Sequence, residues 1–349
     1  MSVTLADVAR RAGVSPATAS RALSDRPHVA VATRARVRAA AEELAFVASP
    51  DAAGLARGTT GRVGVVLPHL SRWFFGAVLE GIESVLRHER IDLLLYRVGD
   101  AADRRAFFDT LPARRKVDAL VVLGLPVDAR ERERLELMGV TIVAAVGQVA
   151  GHPFVGVDDH VAGRQAVDHL VHLGHRRIGM IAATDPQSDG YPDARSVAYR
   201  DSLADAGIPY DEDLVAVVDW GGAGGAEGMA RLLGLREPPT AVYAHSDEVA
   251  LGAVRTLRRA GLRVPEDLSV IGIDDHPLAD LTDLTTVRQP AREQGEVAAR
   301  MVLAALADAP GADVPGARAP GGVTLPTQLV VRRSTAPPRD GVTAPPRDG

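Results

Sequence analysis

Apolar positions fall into two regimes along the chain: short helical repeats in the first 46 residues, then short apolar blocks alternating with amphipathic stretches from residue 63 onward. Leu5, Val8, Ala9 and Ala12 lie three and four apart after Thr4, whose hydroxyl suits an N-cap, and Gly13 breaks the run. Val14-Ser15-Pro16 then reads as a hydrophobic residue, an N-cap and a proline at the first helical position, so a second helix starts at Pro16. Its inner face is Ala19, Ala22 and Leu23, which leaves Pro16, Ala17, Ser20 and Arg21 facing outward. A third helix is expected from about Thr33 to Phe46, with Val37, Ala40, Ala41 and Leu44 inward and Arg34, Arg36 and Arg38 largely outward. Three helices joined through a tight turn form a helix-turn-helix unit, and the outward face of the second can enter a major groove.

The later blocks predict strands at Val63–Leu67, Ile91–Arg97, Ala119–Leu123, Thr141–Val146, Ile178–Ala182, Leu214–Val218, Ala241–Ala244 and Ser269–Ile273. Helices lie between them, the clearest carrying Phe74, Phe75, Val78, Leu79, Ile82, Val85 and Leu86 on one stripe. This βαβ rhythm belongs to parallel-sheet proteins. A length of 349 residues exceeds one ordinary core and fits a small module plus a body of two α/β lobes.

Charge sharpens the division. Residues 1–62 hold nine arginines against five acids, a balance of +4, while the rest holds 31 basic and 40 acidic residues, a balance of −9. A basic head on an acidic body is expected where one end meets phosphate, although charge alone does not separate that from an arginine-rich solvated helix. The absence of cysteine excludes disulfides, thiolate metal sites and thiol catalysis. No run of about 18 apolar residues is present and the start lacks a secretory pattern, so a cytoplasmic protein without membrane contact is expected.

The run Val3-Thr4-Leu5-Ala6-Asp7-Val8-Ala9-Arg10-Arg11-Ala12-Gly13-Val14-Ser15-Pro16-Ala17-Thr18-Ala19-Ser20-Arg21 resembles the signature headpiece of the LacI/GalR family of transcriptional regulators. By that resemblance Thr4, Ser15, Thr18, Ser20, His28 and Thr33 contact phosphates, while Pro16, Ala17 and Arg21 face base edges. Of these three, Arg21 alone has the paired donors that suit guanine O6 and N7. Ser49-Pro50-Asp51-Ala52-Ala53-Gly54-Leu55-Ala56-Arg57-Gly58 is similar to the family's hinge helix, too short to be stable alone, with Leu55 matching the leucine wedged into the minor groove. Two positions depart from the family pattern here: Ala30 stands where a polar residue is usual, and the hinge Pro-Asn pair is displaced to Ser49-Pro50.

The resemblance continues through Gly64-Val65-Val66-Leu67-Pro68, Leu173-Gly174-His175-Arg176-Arg177-Ile178, Thr240-Ala241-Val242-Tyr243 and Val264-Pro265-Glu266-Asp267-Leu268-Ser269-Val270-Ile271-Gly272-Ile273-Asp274-Asp275. It implies a periplasmic-binding-protein-like (type I) body whose two lobes exchange chain near Asp158, Pro290 and Leu325, with ligand in the cleft between them. The implied domains are a headpiece at 1–47, a hinge at 48–60, an effector-binding and dimerisation body at 61–335 and a disordered tail at 336–349. Arg195 matches the arginine that holds effector oxygens, Asp274 the carboxylate that accepts from hydroxyls, and Trp220 the aromatic that stacks on a sugar ring. Phe74 and Phe75 suit the opposite wall. Ser246 replaces the usual Asn before Asp247 and Arg72-Trp73 replaces Asn-Pro, departures that leave room for a bulky or acidic effector.

Other signals carry less. His169, His172 and His175 recur every third residue but have no carboxylate in register, so structural histidines are expected rather than a metal site. Gly221-Gly222-Ala223-Gly224-Gly225 lacks the spacing of a dinucleotide or Walker motif and reads as a mobile loop at the cleft rim. Nothing arranges a nucleophile with a base or pairs carboxylates for catalysis, so neither enzyme activity nor a cofactor is expected. Thr-Ala-Pro-Pro-Arg-Asp-Gly occurs twice in the tail, which has no leucine heptads of the kind that make tetramers, favouring a homodimer. The implied function is repression of transcription at a pseudo-palindromic operator, controlled by a small molecule such as a sugar. The alternatives are a corepressor-dependent regulator, a solute-binding transport protein and a Rossmann-like enzyme.

Overall fold

In a computed structural model of the chain, residues 3–23, 29–46, 59–184, 193–307 and 321–339 are described. His28 and the hinge residues through Gly58, Leu55 among them, lie outside these residues. The chain divides into a headpiece unit, Met1–Arg62 with Arg115–Asp118, and a body, Val63–Arg114 with Ala119–Gly349.

Among the described residues, three helices build the headpiece: α1 (Leu5–Ala12), α2 (Pro16–Leu23) and α3 (Val31–Glu43). Thr4 caps α1 through a reciprocal pair in which Asp7 N–H donates to Thr4 Oγ1 at 3.4 Å and Thr4 N–H donates to Asp7 Oδ2 at 3.0 Å. Gly13 ends the helix in the left-handed region at φ 63°. Ser15 opens α2, its Oγ accepting from Thr18 N–H at 3.2 Å. Helix α3 begins two residues before the expected Thr33, because Ala30 is extended and serves as a cap without a side-chain bond. It ends before Phe46, where Ala45 turns to φ 47°. The core of Val8, Ala9, Ala12, Ala19, Ala22, Val37, Ala40 and Ala41 is built mostly from alanine, so the three helices pack at close range.

The body contains two six-stranded sheets. The first, in order β11-β5-β4-β3-β1-β2, is made of β1 (Arg62–Leu67), β2 (Asp92–Arg97), β3 (Ala119–Leu123), β4 (Thr141–Ala145), β5 (Phe154–Val157) and β11 (Gly322–Leu325). The second, in order β12-β10-β9-β8-β6-β7, is made of β6 (Ile178–Thr184), β7 (Val215–Asp219), β8 (Ala241–Ala244), β9 (Ser269–Asp274), β10 (Thr285–Arg288) and β12 (Gln328–Val330). Neighbours such as β1 and β3 or β8 and β9 run parallel, while β12 is antiparallel to β10. Around the first sheet lie α4 (Trp73–His88), α5 (Ala101–Thr110), α6 (Ala129–Glu136) and α12 (Ala291–Ala307). Around the second lie α7 (Asp159–His172), α8 (Ala194–Asp205), α9 (Gly222–Leu233), α10 (Asp247–Arg259) and α11 (Pro277–Leu281). The chain crosses between lobes three times: between β5 and α7 at Asp158, between β10 and α12 at Gln289-Pro290, and between β11 and β12 at Pro326-Thr327.

Each lobe contains one helix pair packed backbone to backbone. A Cβ on Gly81 of α4 would sit 2.1 Å from Arg292 O of α12, and one on Gly252 of α10 would sit 2.1 Å from Gly222 O of α9. The glycine-rich stretch after β7 is therefore not a mobile rim loop as its composition suggests. Gly221 at φ 101° caps α9, and the glycines that follow form its first turns against α10.

His169 of α7 and His175 in the turn after it seat Thr335 and Ala336. His169 Nε2 lies 2.9 Å from Thr335 Oγ1, and His175 bridges Thr240 Oγ1 and Ala336 O at 2.9 Å each. Ala336 N–H also donates to Ser269 Oγ at 3.0 Å, and Arg339 pairs with Asp267 at 3.0 Å. Residues 336–339, assigned to a disordered tail by composition, are thus held on the second lobe.

Candidate DNA-binding face and ligand cleft

On the headpiece, Ser15, Pro16, Ala17 and Arg21 are exposed along one side of α2, with Thr18 and Ser20 half-buried beside them. Arg21 Nε donates to Ala17 O one turn back at 3.2 Å, which fixes the stem and leaves the two terminal nitrogens to reach outward. Thr4 is exposed at the start of α1, and Thr33 is half-buried in the first turn of α3. Arg10 and Arg11 are tied to Asp7 and Glu43 at 2.9 and 2.7 Å. These exposed pairs add little stability.

Within the body, the carboxyl ends of the strands face a cleft of about 570 Å³. The first lobe supplies Arg72, Trp73, Phe74 and Phe75 before and in the first turn of α4, together with the turns after β3 and β4. The second lobe supplies Asp159, Asp193, Arg195, Trp220, His245, Ser246, Glu248 and Asp274, and Gln289 comes from a crossing segment. Arg195, Asp274, Trp220, Ser246, Phe74 and Phe75, chosen from sequence, therefore line one cavity. Phe75 also belongs to the first lobe's core, and the Ser246 oxygen is used as the cap of α10, accepting from Val249 N–H at 3.3 Å.

Arg195 is the electrostatic centre of the second wall. Its Nε and a terminal nitrogen both donate to Asp159 Oδ1 at 2.8 Å, and the other terminal nitrogen donates to the backbone oxygen of His245. Burial opposes its charge, but Asp159 and Asp274 more than offset that and hold it firmly protonated. Burial raises the Asp274 carboxyl to about 7, against the pull of Arg195 and a bond from Gln289 Nε2. Burial likewise drives His245 down to about 4, a shift that Arg195 reinforces and Asp193 opposes. Asp193 is also opposed by burial, yet His245, Ser196 and Arg195 keep it below the usual carboxylate range.

Asp274 has φ 132° and Asp275 φ 56°, conformations that cost a non-glycine residue roughly 1–3 kcal/mol. Neighbours hold them there. Asp275 accepts from Arg288 at 2.6 Å and Arg332 at 2.7 Å, and Asp247, buried beneath, accepts from His276 N–H at 2.8 Å and Thr286 Oγ1 at 2.6 Å. Contacts between lobes bridge the cleft: the Arg72 guanidinium lies 5.1 Å from the Trp220 ring and Trp73 lies 4.8 Å from His276.

Sequence reasoning missed Asp159, Asp193, His245, Glu248 and Gln289 as cleft residues. His245 directly follows β8 and Asp159 lies two residues beyond β5, so the rule that ligands gather at strand carboxyl ends points to both.

Residues 4–49 match the model of bacterial regulatory proteins of the lacI family, and residues 167–335 match a periplasmic binding protein-like domain. The chain is 35% identical to the HTH-type transcriptional repressor CytR of Escherichia coli, over 86% of this chain and 89% of that protein. It is 34% identical to the HTH-type transcriptional regulator MalR of Streptomyces coelicolor, over 96% of this chain and 97% of that protein. Among solved structures, the lac repressor dimer bound to operator and the anti-inducer ONPF superposes with a TM-score of 0.81 at 28% identity, covering 96% of this chain and all of that one. A complex of the transcriptional regulator CelR with cellobiose gives 0.68 at 31%, covering 95% of this chain and 99% of that one. On these sequence relationships, and with a helix-turn-helix headpiece and a two-lobed body, this chain belongs to the LacI family of bacterial regulatory proteins.

Proposed function

We propose that this chain represses transcription as a homodimer on a pseudo-palindromic operator, with Pro16, Ala17 and Arg21 toward base edges and Thr4, Ser15, Thr18, Ser20, His28 and Thr33 toward phosphates. Leu55 is the minor-groove wedge of this reading. The observation that carries it is the pairing in one chain of an exposed α2 face with a walled cleft holding Arg195, Asp274 and Trp220. A two-fold dimer matches a palindrome because each half-site meets an identical headpiece. The lac repressor structure is a dimer on operator, and the CelR structure holds cellobiose. A carbohydrate effector in the cleft is the corresponding proposal here, with the protein acting in the cytoplasm where DNA is. No helix of the described residues is long and apolar enough to cross a membrane.

Effector control then acts through lobe closure. A ligand shifts operator affinity only as far as it binds the DNA-bound and DNA-free forms unequally, and the coupling is reciprocal. Selection of duplexes from a random pool, followed by thermal-shift screening of sugars and titration of operator with each hit, tests the reading. A recovered palindrome whose affinity changes with a hit supports it. Failure to select any duplex, or an operator affinity indifferent to every cleft ligand, overturns it.

A further inference from the structure

The charge of the cleft restricts what it can hold. Among the described residues, its ionisable lining comprises the carboxyl groups of Asp159, Asp193, Glu248 and Asp274, the guanidiniums of Arg72 and Arg195, and His245. His245 is neutral at pH 7, since burial holds it near 4. The carboxylates outnumber the guanidiniums by two, or by one while Asp274 carries its proton.

Position matters more than the tally. Arg195, the obvious anchor for an oxyanion, already has its charge matched by Asp159, with two nitrogens 2.8 Å from one carboxylate oxygen and a third on the His245 carbonyl. A guanidinium has five N–H groups, so donors remain for a hydroxyl lone pair, but the net charge a phosphate or carboxylate needs has been spent within the wall. An anionic ligand would have to displace Asp159 and approach Asp193 and Asp274 across the same cavity. Arg72, at the mouth, lies over the Trp220 ring rather than in the floor.

The remaining groups favour the opposite chemistry. Asp193, Asp274 and the Gln289 side-chain oxygen offer acceptors to hydroxyl donors, and Trp73, Trp220 and Phe74 offer ring faces from both walls. We propose that the cleft takes an uncharged, ring-shaped ligand rich in hydroxyl groups and discriminates against anionic sugars, because Arg195 is neutralised by Asp159 within a wall that carries excess carboxylate. This rests on the effector reading above and narrows it; of the bulky or acidic effector expected from Arg72-Trp73 and Ser246, it disfavours the acidic one.

Isothermal titration of the full chain tests this with ribose and cellobiose as uncharged probes, and ribose 5-phosphate, glucuronate and inorganic phosphate as anionic ones. Each anion should bind at least about tenfold more weakly than an uncharged probe, or give no heat. An anionic sugar that binds tighter than both uncharged probes overturns the proposal. Asp159→Asn and Glu248→Gln supply an arm that does not depend on the effector. Asp159→Asn uncovers the Arg195 charge and should raise phosphate affinity by about tenfold, a gain abolished in the Asp159→Asn/Arg195→Ala double variant. Glu248→Gln removes one charge without touching that pair and should give a smaller gain. No gain in either folded variant overturns the charge argument, whereas gains in both with no sugar bound would support it and count against the carbohydrate effector alone.

Discussion

The headpiece and the cleft solve recognition by contrary means. On α2, Pro16, Ala17 and Arg21 are exposed and come from six consecutive positions of one short helix, so their arrangement follows from local hydrogen bonds. In the cleft, Asp159, Arg195, His245 and Asp274 come from segments up to 115 residues apart and meet only after two sheets have formed. The difference teaches where chemistry is altered by folding. A solvated arginine keeps its donors for a phosphate or a guanine, whereas a walled one arrives already paired, and burial raises the Asp274 carboxyl near it.

The sharpest way to break this contrast is Arg195→Ala. If the cleft anchors the effector through that side chain, binding should weaken by about 2–3 kcal/mol while operator binding by the folded protein stays normal. Titrating operator with and without effector reads both, and a wild-type effector response would remove Arg195 from the site. Arg21→Ala is the complementary change: discrimination at one symmetric base pair should fall by about 1–3 kcal/mol, with effector binding untouched. A loss spread evenly over all operator variants would make Arg21 a phosphate contact instead.

A third test concerns protonation. Asp274 titrates near 7 in the folded body but near 4 in the unfolded chain, so the native state binds more protons between those values and its stability falls as pH rises through that window. Asp274→Asn lacks this slope, so its stability relative to wild type should rise steadily from pH 4 to pH 7. Denaturant midpoints that change identically with pH in both proteins would show the carboxyl to be unperturbed. The smallest effect belongs to Thr4→Ala, which removes one half of the α1 capping box and should cost about 1 kcal/mol. Hydrogen exchange in α1 should quicken while that of β8 and β9 does not, and equal acceleration everywhere would refute a local role.

The same contrast explains what could be read from the sequence. Thr4, Gly13, Ser15 and Pro16 are local punctuation and place α1 and α2 correctly, as the apolar blocks place β3 and β8 to the residue. Helix α3 was misplaced because Ala30 has no capping side chain to mark its start. Strands β5, β10, β11 and β12 were missed because they have three or four residues each, with Gly156, Thr285, Thr286, Gly322 and Gln328 diluting the apolar pattern. Arg195, Trp220 and Asp274 were legible by resemblance. Of their partners, Asp159 is indicated only by its place after β5, and no periodicity marks Gln289 on a crossing segment. The glycines of α9 misled for a related reason: the close approach of α10 that demands them is invisible in a linear pattern.

The chain contains two tryptophans, and both line the cleft, Trp73 from one lobe and Trp220 from the other. Its tryptophan emission therefore originates at one place in the molecule. Arg72 sits over one indole and His276 against the other, so a change in lobe separation alters the surroundings of both fluorophores at once. The protein thus carries an unlabelled optical gauge of its own closure, readable in a stopped-flow cell with no dye attached and no tryptophan in the headpiece to dilute the signal.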